Sequence, residues 1–307
     1  MKKSFIIVSF LLTITLTALF YLKIDQNEPV LSEQNSLILP NSQKEPESYL
    51  KITFLDVEQG DSILVESING EKTLVDCGAD ARVLEALGRV MSFYDKQIDY
   101  LFVTHPDLDH YGGCVDVLKR FEVKNIVYTG LQKNDGAWQT FWQYVQNEGS
   151  IYHEINKEQE WKIGEVDVRF LYPDHDISAD ARVPGIAKIS DNNASLVFKL
   201  SFGENDVLFT GDMEADLENY LVEKYAGDLE TEVLKVGHHG SGSSSGQGFL
   251  ETVSPRYGII SVGANNDYGH PSLRVLKRLE RAGSKVWRTD KTGDITFKIS
   301  KSNIVIE

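Results

Sequence analysis

The chain has 307 residues, with 46 acidic against 31 basic side chains and a formal charge of −15. That balance excludes broad, non-specific adhesion to DNA, which needs Lys and Arg to displace counterions. The 41 % hydrophobic content excludes a disordered chain and is enough for a sizeable core, while two cysteines are too few for a disulfide scaffold.

Met1-Lys2-Lys3 precedes an uncharged apolar stretch from Ser4 to Leu22, followed by Lys23. At ~1.5 Å per residue this stretch can cross a bilayer. It is longer than the ~7–15-residue apolar core of a signal peptide, and no clear small-x-small cleavage site follows it. The leading lysines favour an inside amino terminus and an outward-facing body. The expectation is a single-pass cell-membrane anchor over 1–23 with the body outside, or a secreted protein if the segment is cleaved. Residues 24–49 are polar, carry Pro29, Pro40 and Pro46, and read as a linker. Residues 50–307 then form one folded domain.

Within that domain Leu50–Val57 alternates like a strand, and Asp61–Ser67 and Lys72–Val75 form a hairpin turned by Asn69-Gly70. Periodicity predicts a helix over 81–91 and a strand over 98–103. Helices are expected at Cys114–Phe121, Trp138–Asn147, Glu214–Tyr225 and Ser272–Ala282. Further strands are expected at Asn125–Tyr128, Glu165–Leu171, Ala194–Leu200, Asp206–Phe209, Glu232–Val236, Tyr257–Val262, Lys285–Trp287 and Ile295–Ile299. The pattern predicts an α/β (α+β) protein, two sheets sandwiched between helices. Cys77 and Cys114 are expected as buried thiols, with a disulfide between them as the alternative.

The most informative segment is Thr104-His105-Pro106-Asp107-Leu108-Asp109-His110-Tyr111-Gly112-Gly113, directly after a predicted strand. Imidazole and carboxylate side chains so close together suit Zn²⁺, Mn²⁺ or Fe²⁺. Pro106 delays a helix, and Gly112-Gly113 allow backbone to approach closely. Later strand ends carry Asp76, Gly211-Asp212, Gly237-His238-His239 and Gly269-His270-Pro271. Ligands on successive strand ends converge on one sheet edge although they lie far apart in sequence. Asp212 has two oxygens to offer and can bridge two ions. Two ions ~3.5–4 Å apart would activate a water and clamp the entering and leaving oxygens of a displacement.

These segments, with Leu208-Phe209-Thr210-Gly211-Asp212 and Leu234-Lys235-Val236-Gly237-His238-His239-Gly240-Ser241, resemble the metallo-β-lactamase fold. Phe54-Leu55-Asp56-Val57-Glu58-Gln59-Gly60-Asp61, Asn192-Asn193-Ala194-Ser195 and Tyr268-Gly269-His270-Pro271 are similar, more narrowly, to the hydrolase domain of the ComEC/Rec2 DNA-uptake channel proteins. The resemblance covers residues 50 to 300 and implies an αββα sandwich with a metal site along one sheet edge. It departs from the general His-x-His-x-Asp-His loop in having Asp107, which shifts preference from Zn²⁺ toward Mn²⁺. The middle superfamily histidine is absent, and Asn193 stands in the comparable region. No string of apolar spans that could form a channel is present.

Two divalent ions, Zn or Mn, are expected: one held by His105, Asp107 and Asp212, the other by Asp109, His110, Asp212 and His239. His238 is an alternative to His239, and Asp61, Asp76 and Asn193 are further candidates for the metal shell or the layer behind it. Asp109 would orient and deprotonate the attacking water, and His270 would bind a substrate oxygen or protonate the leaving group. Arg274, Lys277, Arg278, Arg281, Lys285, Arg288 and Lys291 form a basic strip, read either as a solvated helix face or as a landing strip for phosphate. Arg278 and Ser241, the latter in a loop read as flexible, are candidates for substrate contact. The expected function is a phosphodiesterase or nuclease outside the membrane, with DNA as one candidate substrate. A phosphorylcholine-esterase-like or other ester or lactone hydrolase and a non-enzymatic metal-stabilised binding module are the alternatives. No protein partner is evident.

Overall fold

The computed structural model describes residues 49–188 and 190–307. The anchor expected over 4–22 lies outside the described residues, as does the linker except for Tyr49. Among the described residues no helix is long and apolar enough to cross a membrane.

Strands β1 (Leu50–Phe54), β2 (Ile63–Glu66) and β3 (Lys72–Val75) form the expected antiparallel meander. Helix α1 (Arg82–Val90) leads to β4 (Gln97–Phe102), then to the short helices α2 (Leu108–Tyr111) and α3 (Cys114–Leu118). Strand β5 (Glu122–Tyr128), α4 (Gly136–Asn147) and β6 (Ile151–Glu154) complete this half. The second half comprises β7 (Gln159–Ile163), β8 (Val166–Tyr172), β9 (Val197–Phe202), β10 (Asn205–Phe209), α5 (Ala215–Tyr225), β11 (Val233–Lys235) and α6 (Gln247–Val253). It continues through β12 (Tyr257–Ile260), α7 (Leu273–Arg281), β13 (Lys285–Arg288) and α8 (Thr289–Thr292). The closing strands β14 (Ile295–Ile299) and β15 (Ile304–Ile306) return to β1.

The first sheet runs β15-β14-β1-β2-β3-β4-β5-β6 and the second β13-β12-β11-β10-β9-β8-β7. Both switch from antiparallel to parallel pairing, at β3 and at β10. The parallel strands β3 and β4 in one sheet and β10, β11 and β12 in the other therefore send their carboxyl ends to one rim. Between the sheets lies an aromatic core in which Phe102 packs on Phe198 (ring centroids 5.3 Å apart) and Phe198 stacks on Phe209 (4.7 Å). The outer face of the first sheet is covered by α1, α3 and α4 through Leu87, Val117 and Phe141, that of the second by α5, α6 and α7 through Leu221, Leu250 and Leu279. This is the expected αββα sandwich. Strands β6, β7 and β15 and helices α2, α6 and α8 were not expected. Strand β6 reads Ile-Tyr-His-Glu at a sheet edge with no buried face, so it shows no period-two pattern.

Two local features shape the rim. First, Cys77 and Cys114 form a disulfide, with Cα atoms 5.1 Å apart, which corrects the expectation of buried thiols. Gly112 and Gly113 make it possible: a Cβ on either would lie 2.1 Å from Ala79 O or 2.2 Å from Cys77 O, so only glycine lets the start of α3 settle on the β3 loop. Second, the serine loop after His239 is not the free loop that its composition suggested, since Ser241, Ser244 and Ser245 are buried. Glu218 on α5 accepts from the N–H groups of Ser245 and Gly246 (2.8 Å to the latter). Arg278 on α7 donates to the carbonyls of Ser244 and Ser245, both at 3.2 Å. Arg278, the member of the basic strip expected to contact substrate, is thus committed to loop backbone.

The disulfide closes a 37-residue separation. Replacing both cysteines by Ala should lower stability by about 2–5 kcal/mol, read from urea unfolding under oxidising conditions; an unchanged midpoint would show that packing alone holds α3. A second outcome concerns Glu218, whose pKa burial pushes up to about 7 from an ordinary 4.5, against its two N–H donors and Arg278. A raised carboxyl pKa contributes stability that is full below 4.5 and is lost as pH rises through 7. Relative to Glu218→Gln, the wild type should therefore weaken across that window by on the order of 3 kcal/mol. Parallel stability–pH curves for the two proteins would remove this account.

Candidate metal centre

Asp76, at the end of β3, is fully buried, and its left-handed backbone (φ 57°) turns the carboxylate under the neighbouring strand. It accepts from Thr104 N–H (2.8 Å) and Thr104 Oγ1 (2.7 Å), and lies 2.7 Å from His110 Nδ1. Those bonds occupy Asp76 and leave His110 Nε2 facing the rim. His239 is set in the same way, with Nδ1 2.9 Å from Ser261 O. His105 has Nδ1 3.0 Å from Thr104 Oγ1. In each case a partner orients one ring nitrogen and presents the other, the arrangement that ordinarily fixes a ligating histidine.

The presented atoms converge. His110 Nε2 lies 3.3 Å from Asp212 Oδ1, and His239 Nε2 lies 3.4 Å from both Asp212 Oδ2 and Asp109 Oδ2. His105 Nε2 is 4.0 Å from Asp212 Oδ2. Four overlapping groups result: His105–His110–Asp212, Asp109–His110–His239, Asp61–Asp212–His239 and Asp61–Asp76–His110. Nε2 of His105, His110 and His239, together with Asp212 Oδ1 and Asp61 Oδ1, are buried and have no hydrogen-bond partner. Leaving so many polar atoms unsatisfied is costly unless a cation joins them. The mixed nitrogen and oxygen set fits a divalent metal ion, the cofactor that the fold implies.

The electrostatics agree. Burial would push Asp212 up, yet His239 and His110 hold it well below the usual carboxylate range. Burial disfavours a proton on His110, yet Asp212 and Asp76 raise it well above the ordinary imidazole value; Asp212 and Asp61 do the same to His239. The pocket therefore attracts positive charge at the Nε2 atoms, whether proton or metal ion.

The remaining candidates are distributed unevenly. Asp107 stands at the edge, 3.6 Å from His105 Nε2 through Oδ2, while Lys133 holds its Oδ1 at 2.5 Å. His238 is less buried than His239; its Nε2 is 3.8 Å from Asp212 Oδ2 and its Nδ1 3.3 Å from Asn192 Nδ2. His239, not His238, belongs to the buried clusters. Asn193 accepts from Glu214 N–H (2.8 Å), so its oxygen supports backbone. His270 packs on His238, centroids 5.6 Å apart, at the cleft margin. Ser241 is turned to Ser243 Oγ at 3.0 Å.

Sequence reasoning missed Lys133 and Lys235. Lys235 Nζ makes a buried 2.6 Å ion pair with Asp61, both residues 1 % exposed. Asp61 is thereby held low, at about 2, against the effect of burial. A lone lysine inside the apolar strand Val233–Lys235 was the available signal of a buried charge. Gly60 brings Asp61 there: at φ +120° a Cβ would lie 2.2 Å from Asp109 O, and Asp61 N–H bonds that same carbonyl.

Among curated proteins, the chain is 31 % identical over 265 residues to ComE operon protein 3 of Bacillus subtilis, covering 81 % of this chain and 33 % of that one. It is 32 % identical over 260 residues to Competence protein ComA of Neisseria gonorrhoeae, covering 84 % and 34 %. It thus spans about a third of the length of these relatives. Among solved structures, CmlA, a diiron beta-hydroxylase from Streptomyces venezuelae, aligns with a TM-score of 0.51 at 13 % identity over 83 % of this chain and 55 % of its own. Zn(2+)-bound PqqB from Methylobacterium extorquens aligns with a TM-score of 0.51 at 10 % identity, over 78 % and 88 %. At such identities the likeness is one of fold. The family profile of the metallo-beta-lactamase superfamily matches residues 55–263, and with the αββα sandwich and its rim of histidines and aspartates this chain belongs to that superfamily.

Proposed function

We propose that the chain is a metal-dependent phosphodiesterase that works outside the membrane, with DNA as its substrate class. The carrying observation is the convergence of unpartnered, buried His105, His110, His239 and Asp212 atoms on one rim. Relatives whose names refer to competence and recombination support a nucleic-acid substrate. In this reading His105, Asp107 and Asp212 hold one divalent ion, and Asp109, His110, Asp212 and His239 the other, as Zn or Mn. Divalent ions so bound polarise a phosphoryl oxygen and make water nucleophilic near neutral pH. Asp109, whose side chain is 29 % exposed while those of His105, His110, Asp212 and His239 are buried, would orient the attacking water and take its proton. His270, at the margin, meets the substrate oxygen or the leaving group.

Export through an uncleaved segment 4–22 belongs to the same proposal. The Cys77–Cys114 disulfide supports it, since such bonds persist in oxidising compartments. A second reading, a phosphorylcholine ester as substrate, is favoured by the acidic side chains Glu58, Asp109 and Asp267 along the cleft beside the site.

The metal and the chemistry are tested together. Asp212→Ala should remove both ions, and His105→Ala should mainly deplete one, by metal analysis of the purified protein. Full metal content in Asp212→Ala would end the bridging assignment. Asp109→Ala should reduce cleavage of single- and double-stranded DNA by more than the ~10²–10⁴-fold of a lost general base. A metal-replete protein that cuts no DNA yet hydrolyses phosphorylcholine esters would move the assignment to the second reading. For the topology, protease added to intact protoplasts should digest the domain while residues 4–22 stay with the membrane. A protected domain, or a chain free in the medium, would contradict the tether.

A further inference from the structure

Beside Asp109 a cavity of about 290 Å³ opens to solvent, lined by Gln59, Leu108, Asn265, Asp267 and Tyr268 among others. It uses none of the buried imidazoles. Its lining is unusual for an exposed loop, because Tyr268 is 70 % and Leu108 53 % exposed. The Tyr268 ring stacks on His270 with centroids 5.7 Å apart and planes 19° from parallel, so one face is backed and the other is left to solvent. The ledge is held in place. Asn266 Nδ2 donates to Gly263 O and His270 O, both at 2.8 Å, and its Oδ1 accepts from His270 N–H at 2.9 Å. A large aromatic side chain kept out of the core, on a loop braced by its neighbour's amide, is a preorganised surface for a flat ring.

We propose that Tyr268, backed by His270, is the stacking platform of a nucleobase subsite next to the metal centre. The proposal rests on the phosphodiesterase reading and adds which part of the substrate is recognised. The cavity volume is close to the lower bound of ~300 Å³ for small-molecule sites, sized for one nucleoside rather than a duplex. Asp267, Asn265 and Gln59 offer acceptor oxygens to the amino groups of a base. Arg82, which also lines the cavity, is tied to Glu58 and to Asp80 and leaves no cluster of cations for a backbone-only grip. Ring stacking needs no positive surface, which reconciles a nucleic-acid substrate with a charge of −15.

The test uses the full chain in detergent and reads binding as well as activity. Calorimetry should show adenosine 5′-monophosphate binding roughly ten-fold more tightly than ribose 5-phosphate, which lacks the base. Tyr268→Ala should erase that difference and Tyr268→Phe keep it, with metal content unchanged in both. On a dinucleotide, Tyr268→Ala should raise KM by a similar factor and leave kcat within about two-fold. Equal affinity of the wild type for the two phosphates would overturn the subsite without touching the metal assignment. Tighter binding of phosphorylcholine than of the nucleotide, lost in Tyr268→Ala, would also overturn it, because the ring would then serve a quaternary ammonium. Conversely, ring-selective binding in a metal-replete protein that cleaves no phosphodiester would uphold the subsite and count against the hydrolytic reading alone.

Discussion

The arrangement of the rim depends on the buried Asp76 carboxylate. It ties the end of β3 to the end of β4 through Thr104, and it fixes which nitrogen of His110 faces the site. A fully buried carboxyl group is tolerable only when its oxygens are satisfied, and here the neighbouring strand and an imidazole do so. The next residue, Cys77, bonds to Cys114, and Cys77 N–H donates to His110 O at 2.7 Å. The whole segment 104–114 is therefore clamped on both sides before any ion is considered. This is the rigid support that a metal centre requires if its ligands are to keep their geometry.

Behind the other half of the site, Lys235 and Asp61 form an ion pair with almost no exposure. Burying two charges costs several kcal/mol per ion, and their attraction returns that only with good geometry. Asp61 also lies 3.4 Å from His239 Nδ1, so its carboxylate places a negative charge behind that imidazole. Without Lys235, Asp61 would be a second buried anion beside Asp212. Its ammonium balances the charge from below while the rim side remains open to cations.

Charge is also divided between structural and surface use. Arg278 and Glu218 grip opposite groups of the 244–246 backbone. The loop needs such a grip because His238, His239, Gly240 and Ser245 all have positive φ, a conformation that costs non-glycine residues free energy. Arg288 pairs with Asp290 at 2.6 Å. Among the described residues, then, the basic strip is partly consumed by the fold, and the cleft is bordered by acids, amides and an exposed aromatic ring. That composition favours recognition through rings and metal ions over a field of positive charge.

Architecture and most of the rim are legible in the order of strands, helices and ligand-bearing loops along the chain. The strand Ile295–Ile299 was legible at its observed bounds because Ile295, Phe297 and Ile299 enter the core while Thr296 and Lys298 lie half-buried on the other face. Lys72–Val75 was legible likewise, because Leu74 and Val75 pack on opposite sides of the sheet. The gathering of His105, Asp109, His110, Asp212 and His239 followed from their positions just past strand ends, since strand order brings such ends together however far apart they are in sequence. Tertiary structure alone decided what depends on which surfaces meet. The pairing of Cys77 with Cys114 required the close glycine contact of α3 with the β3 loop. The choice between His238 and His239 turned on a backbone bend that no spacing encodes. Lys133 drew Asp107 to the edge, and Lys235 found Asp61 across more than a hundred residues of chain. Periodicity reports which face of an element is buried, whereas a hydrogen bond or ion pair between distant segments exists only once packing has set their separation to a few tenths of an ångström.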